Sequence, residues 1–174
     1  MTAPEFSRPF DVRQCDGRTL TLTADEAERA ALAARFDLVS IDRLEARVLL
    51  DAEGQTIAAK GTVEADLVQR CAVSAEDLPA SINDEFELRF VPASRTFAPD
   101  EEVEIDADDC DEIEYSGTMI DVGEAVAQSL ALAIDPFATG PEAEAARALL
   151  KTESASPFAV LAGLKKNADQ KRED

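Results

Sequence analysis

The sequence predicts an α+β protein, and three observations carry that expectation. Apolar residues alternate with polar ones at Leu44, Ala46, Val48 and Leu50, at Val63, Ala65 and Leu67, and at Phe86, Leu88 and Phe90, the period of half-buried strands. Two other segments, residues 24–36 and 122–133, put apolar side chains at helical spacing behind capping signals. Between the first two strands, Asp51-Ala52-Glu53-Gly54 is a hairpin signal. The expected architecture is an antiparallel β-meander packed by two main helices, with an acidic loop and a short C-terminal helical motif.

From the N-terminus, Phe10 and Val12 and then Leu20 and Leu22 flank the turn-like pair Asp16-Gly17, which predicts a hairpin or two edge strands. Thr23 and Glu26 form a capping box opening the helix over 24–36. The strands follow, with Ile57 to Lys60 continuing into Val63, and Pro79 with its polar neighbours marking the connection before the last strand. Acids then crowd residues 99–115. Self-repulsion predicts an exposed loop near 99–112, with short extended pieces at 103–105 and 113–115. After the turn at Ser116-Gly117, Asp121 and Glu124 cap a helix over 122–133 whose Val122, Val126, Leu130 and Ala133 share a stripe, and Pro136 stops it. A further alanine-rich helix is expected over 141–150 and a polar linker over 151–156. Ser156-Pro157 then reads as an N-cap with proline in the first helical position, leading the apolar cluster Phe158, Val160, Leu161 and Leu164 and a charged tail. The resulting organisation is a core domain over 1–136, a helix and linker over 137–156, and an apolar motif with its tail over 157–174.

With 45% apolar and 31% charged residues in 174, the composition is that of a folded domain. No stretch reaches the roughly 20 apolar residues of a membrane span, and the first residues lack a basic start followed by an apolar run. A cytoplasmic location without membrane attachment is expected. Cys15, Cys71 and Cys110 are odd in number, with no C-x-x-C pair; they suit free thiols in a reducing compartment better than disulfides or zinc. There is no histidine, which removes the His-based nucleophilic triads and most zinc ligand sets. The glycines are scattered singly, without a phosphate-cradling loop. No catalytic residue, metal or cofactor is assigned.

The formal net charge is −20, and residues 96–146 contain Asp and Glu but no Lys or Arg. Such a chain repels a polyanion, so tight direct nucleic-acid binding is not expected. The same field would speed encounter with a basic protein, or simply keep the molecule soluble. Glu101, Glu102, Asp108 and Asp109 are the candidate steering residues. As an EF-hand loop the run fails, since counting from Asp106 puts Asp111 at the glycine position and Gly117 at the bidentate glutamate. The C-terminal cluster has two open readings: a helix docked on its own domain, or an anchor for another protein through Pro157, Phe158, Val160, Leu161 and Leu164. A basic protein partner is the leading expectation. The alternative class is a carboxylate-based enzyme or a divalent-ion-binding domain.

The segment Ser156-Pro157-Phe158-Ala159-Val160-Leu161-Ala162-Gly163-Leu164-Lys165 resembles the PFAVL-type ending of the bacterial YceD family. Gln69-Arg70-Cys71 is similar to the second half of that family's C-x-R-C element, and Ile120-Asp121 with the stretch to Pro136 resembles its acidic-capped helix. The resemblance spans about residues 63 to 165. It implies a role in accumulation of large-subunit (23S) ribosomal RNA and in ribosome assembly, without an established enzymatic activity, and a link to a large-subunit ribosomal protein. Many relatives carry paired cysteines in the C-x-R-C element and after the later helix; here Val68 takes the first position and residues 137–140 lack cysteine. A metal-binding role is therefore not carried over, and Cys71 is expected to be a packed remnant.

Overall fold

The computed structural model describes residues 4–93 and 111–153, with side chains through residue 149. The chain divides into two compact units, Met1–Arg70 with Asp77–Pro136, and Cys71–Glu76 with Phe137–Asp174. Among the described residues no helix is long and apolar enough to cross a membrane.

The first unit holds β1 (Pro9–Asp11), a 3-10 turn (Val12–Gln14), β2 (Arg18–Thr23), α1 (Glu26–Arg35), β3 (Ser40–Glu53), β4 (Thr56–Arg70), β5 (Asp77–Pro92), β6 (Asp111–Tyr115), β7 (Met119–Asp121) and α2 (Val122–Ala133). Five strands form one sheet in the order β2-β3-β4-β5-β6, and β1 pairs with β7 separately. The alternation read from the sequence is the reason for the main sheet: Leu44, Ala46, Val48, Leu50, Ile57, Ala59, Val63, Ala65, Leu67, Leu88 and Phe90 are all buried. These residues share one face, against which α1 meets β3 and α2 meets β4 and β5. The β3–β4 hairpin turns where expected, at Gly54 and Gln55, with Gly54 at φ 70°, a backbone region glycine enters without a Cβ clash.

Of the two N-terminal readings the structure has the edge strands and not the hairpin: β1 lies antiparallel to β7, and β2 to β3 at the border of the main sheet. Four other expectations are corrected. The capping box sits two residues later, because Thr23 is the last residue of β2, opposite Glu45. The Asp25 carboxylate accepts from Glu28 N at 2.9 Å, and the Glu28 carboxylate accepts from Asp25 N at 2.9 Å. Pro79 lies inside β5 rather than in a connection. The sheet is also not a pure meander: β6 runs parallel to β5, Leu88 facing Asp111 and Pro92 facing Tyr115. The extended piece expected at 113–115 is part of β6, so Asp111 and Glu112 belong to a strand rather than a loop; the piece expected at 103–105 lies outside the described residues.

An N-terminal strap ties the two helices together. Phe6 is fully buried, Ser7 Oγ donates to Asp121 at 2.6 Å and Arg8 N donates to Asp121 at 2.8 Å. Asp121 also caps α2 as read from the sequence, accepting from Glu124 N at 3.1 Å. The strap passes so close to Gly123 that a Cβ there would lie 2.3 Å from Phe6 O. The Arg8 guanidinium, 4.5 Å above the Phe6 ring, donates to both carboxylate oxygens of Glu28 at 2.6 and 2.9 Å.

In the second unit, α3 (Ala143–Glu153) covers the alanine-rich segment and continues into the start of the expected linker. Ala72 N donates to Ala138 O at 3.0 Å, and the Glu76 carboxylate accepts from Ser74 Oγ at 3.0 Å and Glu142 N at 3.1 Å.

Candidate functional site

All nine residues singled out by the sequence, Glu101, Glu102, Asp108, Asp109, Pro157, Phe158, Val160, Leu161 and Leu164, lie outside the described residues. What the structure does place is the described part of the base-free segment and the charged face of the sheet. Asp111, Glu112 and Glu114 are exposed on β6. Asp121 and Glu124 are used internally, Asp121 on the strap and Glu124 on Arg35, whose guanidinium reaches it at 2.8 and 2.9 Å and Glu5 at 2.9 Å.

The sheet face opposite the core carries Arg43, Glu45, Arg47 and Asp51 on β3, Lys60, Glu64 and Asp66 on β4, and Glu85, Glu87 and Arg89 on β5. Two of its four bases, Arg43 and Lys60, are held in ion pairs. Arg43 donates to Glu45 at 3.0 Å and Glu64 at 2.8 Å, with Asp66 at 3.9 Å, so one cation serves three carboxylates. Lys60 Nζ lies 2.7 Å from Glu87. Exposed pairs of this kind stabilise little; their consequence is that the excess acids set the sign of the field around this face. The polar phase of the alternation marks this face in the sequence as the wet side of the half-buried strands, whereas the ion pairs across it depend on the register.

The carboxylates whose ionisation the fold shifts are all tied to arginines. Glu28 and Glu124 are held below the usual carboxylate range by hydrogen bonds from Arg8 and Arg35, Glu45 by one from Arg43, and Asp11 is lowered to about 2 by Arg13. Every one of these shifts favours the charged form, whereas a general acid at neutral pH needs its pKa raised. A cleft of about 600 Å³ is lined by Val12, Arg13, Gln55, Ile57, Tyr115 and Thr118 among others, with no carboxylate or thiol in its described lining. Tyr115 Oη there donates to Gln55 O at 2.6 Å, and Arg13 is paired with Asp11.

Burial, with a smaller contribution from Asp11, pushes the Cys15 thiol up. Cys71 is buried too, but its Sγ accepts from Ser74 N at 3.4 Å and from Gly140 N at 3.4 Å. Donors from Ser74 and Gly140 lower it to about 7. Within the second unit the fold thus brings Cys71 to the 137–140 segment, the two places where the resemblance expects paired cysteines, with a single thiol present. Among the described residues no group of three His, Cys, Asp or Glu is placed to hold a metal.

The first unit thus sets a five-stranded mixed sheet between helices on one face and ion-paired charges on the other. The family described as large ribosomal RNA subunit accumulation protein YceD matches residues 59–165, more than half of the chain. The chain belongs to the YceD family. No curated protein and no solved structure matches it significantly.

Proposed function

We propose that this chain is a non-enzymatic assembly factor of the cytoplasm that supports accumulation of large-subunit (23S) ribosomal RNA by holding a basic protein, such as a large-subunit ribosomal protein, until it is delivered. The observation that carries this reading is the uncompensated negative charge: a formal −20 overall, and a sheet face whose Arg43 is shared among three carboxylates. Such a field accelerates encounter with a polycation and disfavours RNA itself. In this reading Glu101, Glu102, Asp108 and Asp109 steer the encounter, and Pro157, Phe158, Val160, Leu161 and Leu164 anchor the partner, since a few apolar side chains carry most of such an interface.

The test is retention of purified large-subunit ribosomal proteins, each offered singly to the tagged full chain in low and in high salt. One or more basic proteins retained in low salt are expected, with slower association after Glu101, Glu102, Asp108 and Asp109 are changed to Asn or Gln. The double substitution Phe158→Ala with Leu161→Ala is expected to weaken retention while the melting temperature holds. Retention of naked ribosomal RNA instead of protein would reject the proposal.

A further inference from the structure

The strand β5 is longer than the strand that covers it. β6 pairs only with Leu88, Arg89, Phe90, Val91 and Pro92, which leaves the outer edge of residues 77–86 without a strand among the described residues. The direction of its backbone groups follows from two bonds. Val68 turns its carbonyl toward the β3 side, where it accepts from Val39 N at 2.8 Å, so the facing pair Val68 and Pro79 is not hydrogen-bonded. At the other end, Ala93 N donates to Tyr115 O at 2.9 Å, toward β6. The register between β4 and β5 is uninterrupted from Ile57 facing Phe90 to Arg70 facing Asp77. Backbone direction alternates along a strand, so the odd-numbered residues of β5 point their N–H and C=O groups outward. Pro79 fits, since it has no N–H to lose. Ser81, Asn83 and Glu85 are exposed and present donors and acceptors to solvent.

We propose that this edge is a strand-addition site for an extended basic segment of the protein partner; the inference rests on the partner reading above and names where that partner is held. An open edge is a template for another chain, and addition to it takes affinity from main-chain bonds and specificity from alternate side chains. Charge selects the occupant. Residues 77–86 include Asp77, Asp84 and Glu85 and no Lys or Arg, and exposed Asp111 and Glu112 follow on β6. A second copy of a −20 chain is repelled, as is this chain's own run from Asp100 to Asp109, which has no base. The half-buried Leu78, Ala80 and Ile82 lie on the core-facing side of the strand. The matching segment therefore alternates apolar residues with Lys or Arg.

The probe is a ten-residue peptide alternating lysine with valine and threonine, added to the full chain. Amide hydrogen exchange is read at Ser81, Asn83 and Glu85, and affinity by titration. These amides should exchange freely in the unbound chain and about tenfold or more slower with peptide. Versions of the peptide with glutamate for lysine, or with alternate backbone amides methylated, should bind about tenfold or more weakly. Asn83→Pro removes an outward donor without touching the β4 ladder and should weaken binding similarly. Asp84→Lys with Glu85→Lys should do the same, and decides the matter if the proline variant does not fold. Three results overturn the proposal: edge amides already protected in the free chain, peptide binding unchanged in both variants, or a concentration-dependent dimer abolished by Asn83→Pro. A ribosomal protein retained equally by wild type and both variants would remove the edge as its site and leave the partner reading intact. If wild type retains none, the partner reading falls, and the edge as the partner's site with it, whatever the peptide does.

Discussion

Val63 and Glu64 are consecutive on β4, and the step between them crosses from the core of the first unit to its charged surface. The inner face is apolar packing, aliphatic with Phe86 and Phe90, under α1 and α2; the outer face is a mosaic of acids with too few bases. The two faces share every backbone hydrogen bond of the sheet, so the difference between them lies in their side chains. Inner residues lose water for good on folding, and burial of a large aliphatic side chain contributes about 1.5–3 kcal/mol. Outer residues keep their water, and their ion pairs gain little beyond it. The inner face therefore carries the stability, and the outer face is free to carry charge for another purpose.

Leu44→Ala should break the inner face most severely. The side chain is almost fully buried at the centre of β3, and a cavity of that kind costs about 2–5 kcal/mol, read as a lowered denaturation midpoint with an unchanged slope. Gly61→Ala comes next. A Cβ at Gly61 would lie 2.7 Å from the tip of the Phe86 ring and 2.6 Å from Arg47 O. The ring can yield but the carbonyl cannot, so a loss of about 1–3 kcal/mol is expected by thermal or chemical melting.

The ion pairs sharpen the contrast at smaller amplitude. Arg35 and Glu124 are partly shielded beside α1 and α2, with side chains 33% and 21% exposed, and Glu124 is held below its ordinary value chiefly by the Arg35 hydrogen bond. A carboxylate depressed by folding stabilises the fold above its unfolded pKa, and that contribution is lost as pH falls through its folded value. Arg35→Gln should thus lower the melting temperature at neutral pH and leave little difference from wild type once both are titrated below Glu124. The smallest effect is expected on the outer face. Arg43, with a side chain 46% exposed, should be replaceable by Gln with a melting temperature within the scatter of wild type, any small change vanishing in high salt. If Arg43→Gln destabilised the protein as much as Arg35→Gln, the outer face would have to be counted as part of the structural framework.

Local pattern determined much of this molecule from the sequence alone. The alternation from Leu44 to Phe90 fixes which side chains face inward, because the strand period is two whatever the neighbours are, and Asp121 with Glu124 starts α2 at the observed residue because capping acts within one turn. Membership in the YceD family was likewise legible, in short motifs whose order along the chain carried it. The proposed steering and anchoring residues were readable only as composition and pattern, since they fall in 94–110 and 154–174, beyond the described residues. Contacts between distant residues were decided by the tertiary structure. Phe10 pairs with Ile120 rather than across Asp16-Gly17, Asp25 displaces Thr23 as a cap because Thr23 is held in β2 by β3, and Pro79 enters β5 because its nitrogen faces away from β4. Each outcome depends on a partner remote in sequence, and a single chain read locally carries no term for the neighbour that will occupy the other side of a strand.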